Sequence, residues 1–225
     1  MDYHVSMSLW SDLLIEPMRN ANGDTLVAIQ RFKIAVTTGE VSGLENIIVS
    51  SVNRIRQAEE KIVAGVEIKL IGELLTLAQY GAGSIGKSIS TIVGIPKSAS
   101  QLEAIFIAKF LIEIVLRRDD YQGLFPSELL RLHGINRSEL NDDSARPVLA
   151  AIVKRAEESV VQLPRLNAEN VNRETALFLT NERKLLKKRL HRLTINPLMK
   201  GTIELNSWDR WQTTVITRLR KATYA

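Results

Sequence analysis

EIKLIGELLTLAQYGAGSIGKSISTIVG, residues 67–94, supports two readings that exclude each other. Gly81 to Ser88 satisfies the phosphate-loop pattern G-x-x-x-x-G-K-[ST] without a mismatch. In that reading backbone N–H groups and Lys87 cradle phosphates and Ser88 meets magnesium. Such a loop needs a buried β-strand before it and a parallel sheet beneath it. The preceding EIKLIGELLTLAQY instead spaces Leu, Glu and Lys as a helix does, and no later βαβ unit follows to supply a sheet. The second reading is therefore preferred: a helix junction where Gly and Ala let neighbouring helices approach closely.

Outward from this stretch the pattern stays helical. Leu44, Ile47, Ile48, Ser51, Val52 and Ile55 mark one buried face, with Ser42 and Glu45 at capping-box spacing before it. Residues 102–116 are apolar around nearly the whole circumference, which predicts a central, buried helix. Further helices are expected over 25–36, 59–80, 85–93, 127–132, 147–161, 170–193 and 208–221. Breaks are expected at Asn22-Gly23, Gly39, Pro96, Gly123, Gly134, Pro164, Pro197 and Gly201. No segment alternates as a strand does, so one all-α domain over residues 1–225 is expected.

Composition narrows the chemistry. The chain contains no cysteine, which removes disulfides, zinc–thiolate sites, iron–sulfur clusters and a cysteine nucleophile. His4, His133 and His191 offer no metal-ligand spacing. Glu103, Lys109 and Glu113 interrupt the most apolar stretch, which falls short of the roughly 20 apolar residues of a membrane span. The N-terminus has no basic region ahead of an apolar run, so it does not read as a secretory signal. Residues 1–145 hold 14 basic and 18 acidic side chains, whereas 146–225 hold 16 and 7. That basic C-terminal third suits an anionic partner: a membrane surface, nucleic acid or an acidic protein. Arg183, Lys184, Lys187, Lys188, Arg189 and Arg192 form its main stripe. Trp208 and Trp211 read as helix-packing residues more readily than as a nucleic-acid stacking platform, which argues against nucleic acid as the partner.

The order of several short motifs resembles the squalene/phytoene synthase family. GVEIKL (Gly65–Leu70) stands where that family has GMEMDL. Tyr80, Ala82, Gly83, Gly86, Gly94 and Ile95 fall in register with its YxxAGxVG and the following GI or GVP turn. IVLRRDD (Ile114–Asp120) stands at its NxLRD, and Leu124-Phe125-Pro126 with the run to Gly134 resembles its YLP segment. Glu16-Pro17 and Gln30–Ala35 resemble the EP and QWWRDAL motifs of one branch, which includes alphaproteobacterial proteins and a mitochondrial complex I assembly factor.

The resemblance implies an isoprenoid-synthase-type helical bundle around a central cavity, here without the family's usual N-terminal helices. Active members join two prenyl diphosphates with magnesium held on aspartate-rich motifs, where the metal neutralises the leaving diphosphate. The chain departs at those ligands. Lys69 replaces the aspartate of GMEMDL, and Ile114 and Arg118 replace the Asn and Asp of NxLRD, while Arg117 is kept. Near the N-terminus only Asp12 and Glu16 stand at i, i+4, and they read as solvated surface charges. Asp119 and Asp120 are the remaining metal candidates, but adjacent helical residues point about 100° apart.

These departures lead to a degenerate member that acts by binding, as an assembly or scaffold factor or as the holder of a prenyl-type ligand. Tyr80, Gly83, Ile114 and Arg117 are the candidate cavity residues, expected to meet near the bundle centre. No catalytic residue and no cofactor is assigned. The alternatives are an active prenyltransferase, which would take Mg²⁺, and a phosphate-loop nucleotide binder. Lys109 and Glu113, four apart on the apolar helix, read as an internal ion pair or a helix edge in preference to a cavity-lining polar pair. The expected location is cytoplasmic or peripheral to a membrane, and the mitochondrial matrix in a eukaryote.

Overall fold

The apolar stretch at 102–116 organises the molecule. In the computed structural model, which describes residues 3–21, 23–161 and 173–201, it lies within helix α6, Ala99–Leu116. Eleven of its side chains are buried, from Leu102 to Leu116, which is why no single face of the sequence stood out as polar. Around α6 pack α1 (Tyr3–Asn20), α4 (Ile71–Ala78), α5 (Ser84–Ile92), α8 (Arg146–Val161) and α9 (Arg173–Ile195). Helices α2 (Gly23–Thr38) and α3 (Asn46–Val63) close one side against α1 and α5, and the short α7 (Ser127–Leu132) follows the turn after α6. Among the described residues there is no strand, so the protein is an all-helical bundle. No described helix is long and apolar enough to cross a membrane. The helix expected over 208–221, with Trp208 and Trp211, lies outside the described residues.

The deciding stretch is helical across the phosphate-loop pattern. Between α4 and α5 the backbone passes through one π turn, Gln79–Gly83, and stays right-handed on both sides. A π turn adds a residue to the helix without breaking it. Its glycines serve packing. A Cβ on Gly81 would lie 2.0 Å from the ring of Trp10, and one on Gly86 would lie 2.5 Å from the Leu102 carbonyl oxygen of α6. Trp10 is fully buried and stacks on Phe110 at 5.4 Å, so α1, the π turn and α6 meet at one point. Lys87 forms an ion pair with Glu103 of α6 at 3.2 Å.

The expected helix over 59–80 is instead two helices. Gly65 takes φ +65° and ends α3 in a Schellman turn, with Gly65 N–H on the Ile62 carbonyl and Val66 N–H on the Lys61 carbonyl. The chain then runs extended to Leu70. Ser127 and Glu128 N–H groups hold it by donating to the Ile68 and Lys69 carbonyls, each at 3.0 Å. Glu73 accepts the Lys69 and Leu70 N–H groups, and Glu128 of α7 accepts that of Ile71, so the first turn of α4 is capped from two directions. The capping box expected at Ser42 and Glu45 is not formed: Ser42 bonds Glu40, and α3 begins at Asn46.

Candidate functional site

Helix α6 carries Lys109 and Glu113 at i and i+4, and Arg117 follows at its C-cap, a run of charge along a largely apolar rod. Asp12 and Glu16 of α1 and Glu182 and Arg189 of α9 come to the same seam. Lys109 is 4 % exposed and donates to Glu16 at 2.9 Å and to the fully buried Glu182. Arg189 also reaches Glu16, at 3.3 Å. Arg117 bridges Asp12 at 3.0 Å and Asp120 at 3.2 Å, and its guanidinium sits 5.2 Å from the centre of the Tyr121 ring.

The electrostatics follow from burial. Desolvation alone would push the Lys109 ammonium down, but Glu182 and Glu16 outweigh it and hold its pKa above the ordinary lysine value. Desolvation pushes Glu113 up, against the opposing pull of Arg189 and Arg117. Tyr121 is pushed up to about 12, chiefly by burial.

This seam corrects two expectations. Asp12 and Glu16 are not merely solvated, because each is matched to a cation on a facing helix. Lys109 pairs with Glu16 and Glu182 rather than with Glu113. The signal that pointed to the seam was the four-residue spacing on α6 together with the same spacing on α1. Glu182 and Arg189 carried no such signal, since both sat within a generally basic helix. Of the basic stripe, Arg189 turns inward to the seam while Lys187 is exposed.

A magnesium site does not fit this donor set. Asp12 and Glu16 already hold the chain's own ammonium and guanidinium groups, and among the described residues no three acidic or histidine side chains converge as metal ligands. Asp119 and Asp120 diverge. Asp119 accepts from Asn141 at 2.6 Å and Lys200 at 2.8 Å, which hold it below the usual carboxylate range, while Asp120 turns to Arg117. Arg118, 1 % exposed, points inward and donates to the Val115, Leu198 and Met199 carbonyls and to Asn141.

The four candidate cavity residues occupy different settings. Ile114 is fully buried in the core and Arg117 lies in the seam. Gly83 faces Glu103 and Ile107, toward the N-terminal half of α6. From Ile107 to Arg117 is about 15 Å along a helix at 1.5 Å per residue. Tyr80 is 44 % exposed, 6.0 Å from the guanidinium of Arg54, and lines a surface groove.

That groove has a volume of about 740 Å³ and lies between the end of α3, the extended 66–70 segment and α4. Buried Ala58, Ile68, Leu77 and Leu124 contribute its apolar floor. Lys61 and Lys69 line it, and neither ammonium makes an ion pair or hydrogen bond among the described residues. Its two acids are committed elsewhere. Glu67 is held low by Ser127 and Arg137, with a weaker pull from Lys69, and Glu73 caps α4.

No family model matches the chain, and neither a curated protein nor a solved structure matches it.

Proposed function

We propose that this protein is a squalene/phytoene synthase-like bundle of the isoprenoid-synthase type that acts by binding rather than by metal-dependent prenyl transfer. It serves as an assembly or scaffold factor or as the holder of a prenyl-type ligand. The observation that supports this reading is the seam. Asp12 and Glu16, at the place where the resemblance puts the first aspartate-rich motif, are neutralised by Arg117, Lys109 and Arg189. A diphosphate leaving group needs divalent charge that is free to meet it, whereas these cations are held by carboxylates. The outward Lys187 and the basic C-terminal third would meet an anionic membrane surface or an acidic protein partner.

The test is incubation with farnesyl or geranylgeranyl diphosphate and Mg²⁺, assayed for released diphosphate. No turnover above buffer is expected, and millimolar Mg²⁺ should leave the melting temperature unchanged, because a ligand that does not bind the native state does not stabilise it. Turnover abolished by Asp12→Asn or Asp119→Ala would overturn the reading and reinstate the active prenyltransferase.

A further inference from the structure

The surface groove has features that the seam does not explain. Large apolar side chains scattered singly over a surface are ordinary, but a cluster of them marks a binding place. Val66, Leu70 and Tyr80 are 49 %, 50 % and 44 % exposed, and all three line this one groove. The concavity below them, about 740 Å³ over a buried apolar floor, falls in the size range of small-molecule sites. Its walls are fixed before any ligand arrives. The 66–70 segment is hydrogen-bonded to Ser127 and Glu128, and α4 is capped by Glu73 and Glu128.

The charge pattern selects the ligand. With Glu67 tied to Ser127 and Arg137 and Glu73 tied to backbone N–H groups, Lys61 and Lys69 are the groove's ammonium groups outside any ion pair or hydrogen bond among the described residues, Lys69 keeping only a weak pull on Glu67. Two ammonium groups beside an apolar trough complement an anionic head on an apolar tail. The trough is a half-open concavity, so it takes one chain along its floor, whereas a flat bilayer would meet only the exposed Val66, Leu70 and Tyr80.

We infer that the groove between α3 and α4 binds a single-chain anionic amphiphile, with its tail along the floor and its head group on Lys61 and Lys69. The site is separate from the seam, and the inference does not depend on the chain's being related to prenyl-transferring bundles.

Gly72 gives a clean test. It lines the groove, and a Cβ added there meets nothing within 4 Å, so a bulky side chain can be placed at the groove wall without a clash at its first carbon. The probe is dodecyl phosphate below its micelle concentration, titrated by calorimetry. Saturable one-to-one binding is expected, with inorganic phosphate alone at least about tenfold weaker. Dodecanoate should compete with dodecyl phosphate, since both join an apolar tail to an anionic head, differing in head group and in amount of charge. Gly72→Phe should weaken dodecyl phosphate about tenfold or more while its melting temperature stays at or above that of the parent. The double variant Lys61→Glu, Lys69→Glu should weaken dodecyl phosphate similarly yet leave neutral dodecanol nearly unaffected.

Unchanged affinity in the folded Gly72→Phe variant would overturn the proposal. So would inorganic phosphate binding as tightly as the amphiphile. Binding only to phosphatidylglycerol-containing vesicles, with none to the monomeric probe, would also overturn it and assign Val66, Leu70 and Tyr80 to a bilayer surface. The prenyl diphosphate assay reads the seam, so either result can fail without the other.

Discussion

Replacing Lys109 by methionine keeps the length and apolar stem of the side chain and removes its charge. Two carboxylates then lose their shared cation. Glu16 still has Arg189 at 3.3 Å and is 14 % exposed, so part of its charge remains compensated. Glu182 is fully buried and loses the partner that Lys109 supplied. Breaking a buried pair by removing one member typically destabilises by about 3–5 kcal/mol. In a chain of this size each kcal/mol moves the melting temperature by roughly 2–4 °C, so Lys109→Met should melt about 6–20 °C below the parent. Circular-dichroism melts of the parent and the variant read the deficit. Adding Glu182→Leu should restore most of the stability, because replacing both members of a buried pair by apolar groups is often neutral. A shift below about 1 kcal/mol in the single variant, or no rescue in the double, would refute the seam as drawn.

Gly86→Ala drives a Cβ into the backbone of Leu102, which cannot rotate away, so thermal melting should show a loss of about 1–3 kcal/mol or more, whereas Gly72→Ala should be neutral or slightly stabilising. Glu113→Gln should raise the melting temperature near pH 7.5: burial lifts this carboxyl's pKa, so the folded state resists its charge above that pKa, and the gain should fade as pH falls toward 4.

The helical architecture was legible where a local pattern sufficed. The all-round apolarity of 102–116 and the Leu/Glu/Lys spacing ahead of Gly81 both reported burial and period directly. The break at Gly65 was not, because the apolar run carries through it. Only the positive φ of one glycine, and hydrogen bonds from residues 127 and 128, turn 66–70 into an extended wall. The groove depends on that wall, and so was hidden with it. The seam was half legible. Spacing of four on α1 and on α6 was visible, but the bond between Lys109 and Glu182 joins residues 73 positions apart, and no local pattern encodes such a pairing.

The inward turn of Arg118 has a consequence for how the chain is made. Its acceptors at Leu198 and Met199 lie 80 and 81 residues further on, and the Gly201 N–H closes the same junction on the Leu116 carbonyl. Emerging N-terminus first at about 5–20 residues per second, the chain exposes α6 roughly 4–16 s before those carbonyls exist. Throughout that interval Arg118, just past the central rod, lacks its two C-terminal carbonyls, and for most of it Lys109 lacks Glu182. The core helix is thus synthesised some 80 residues before the groups that complete it, and a translation product halted before residue 196 should remain a substrate for chaperones and proteases.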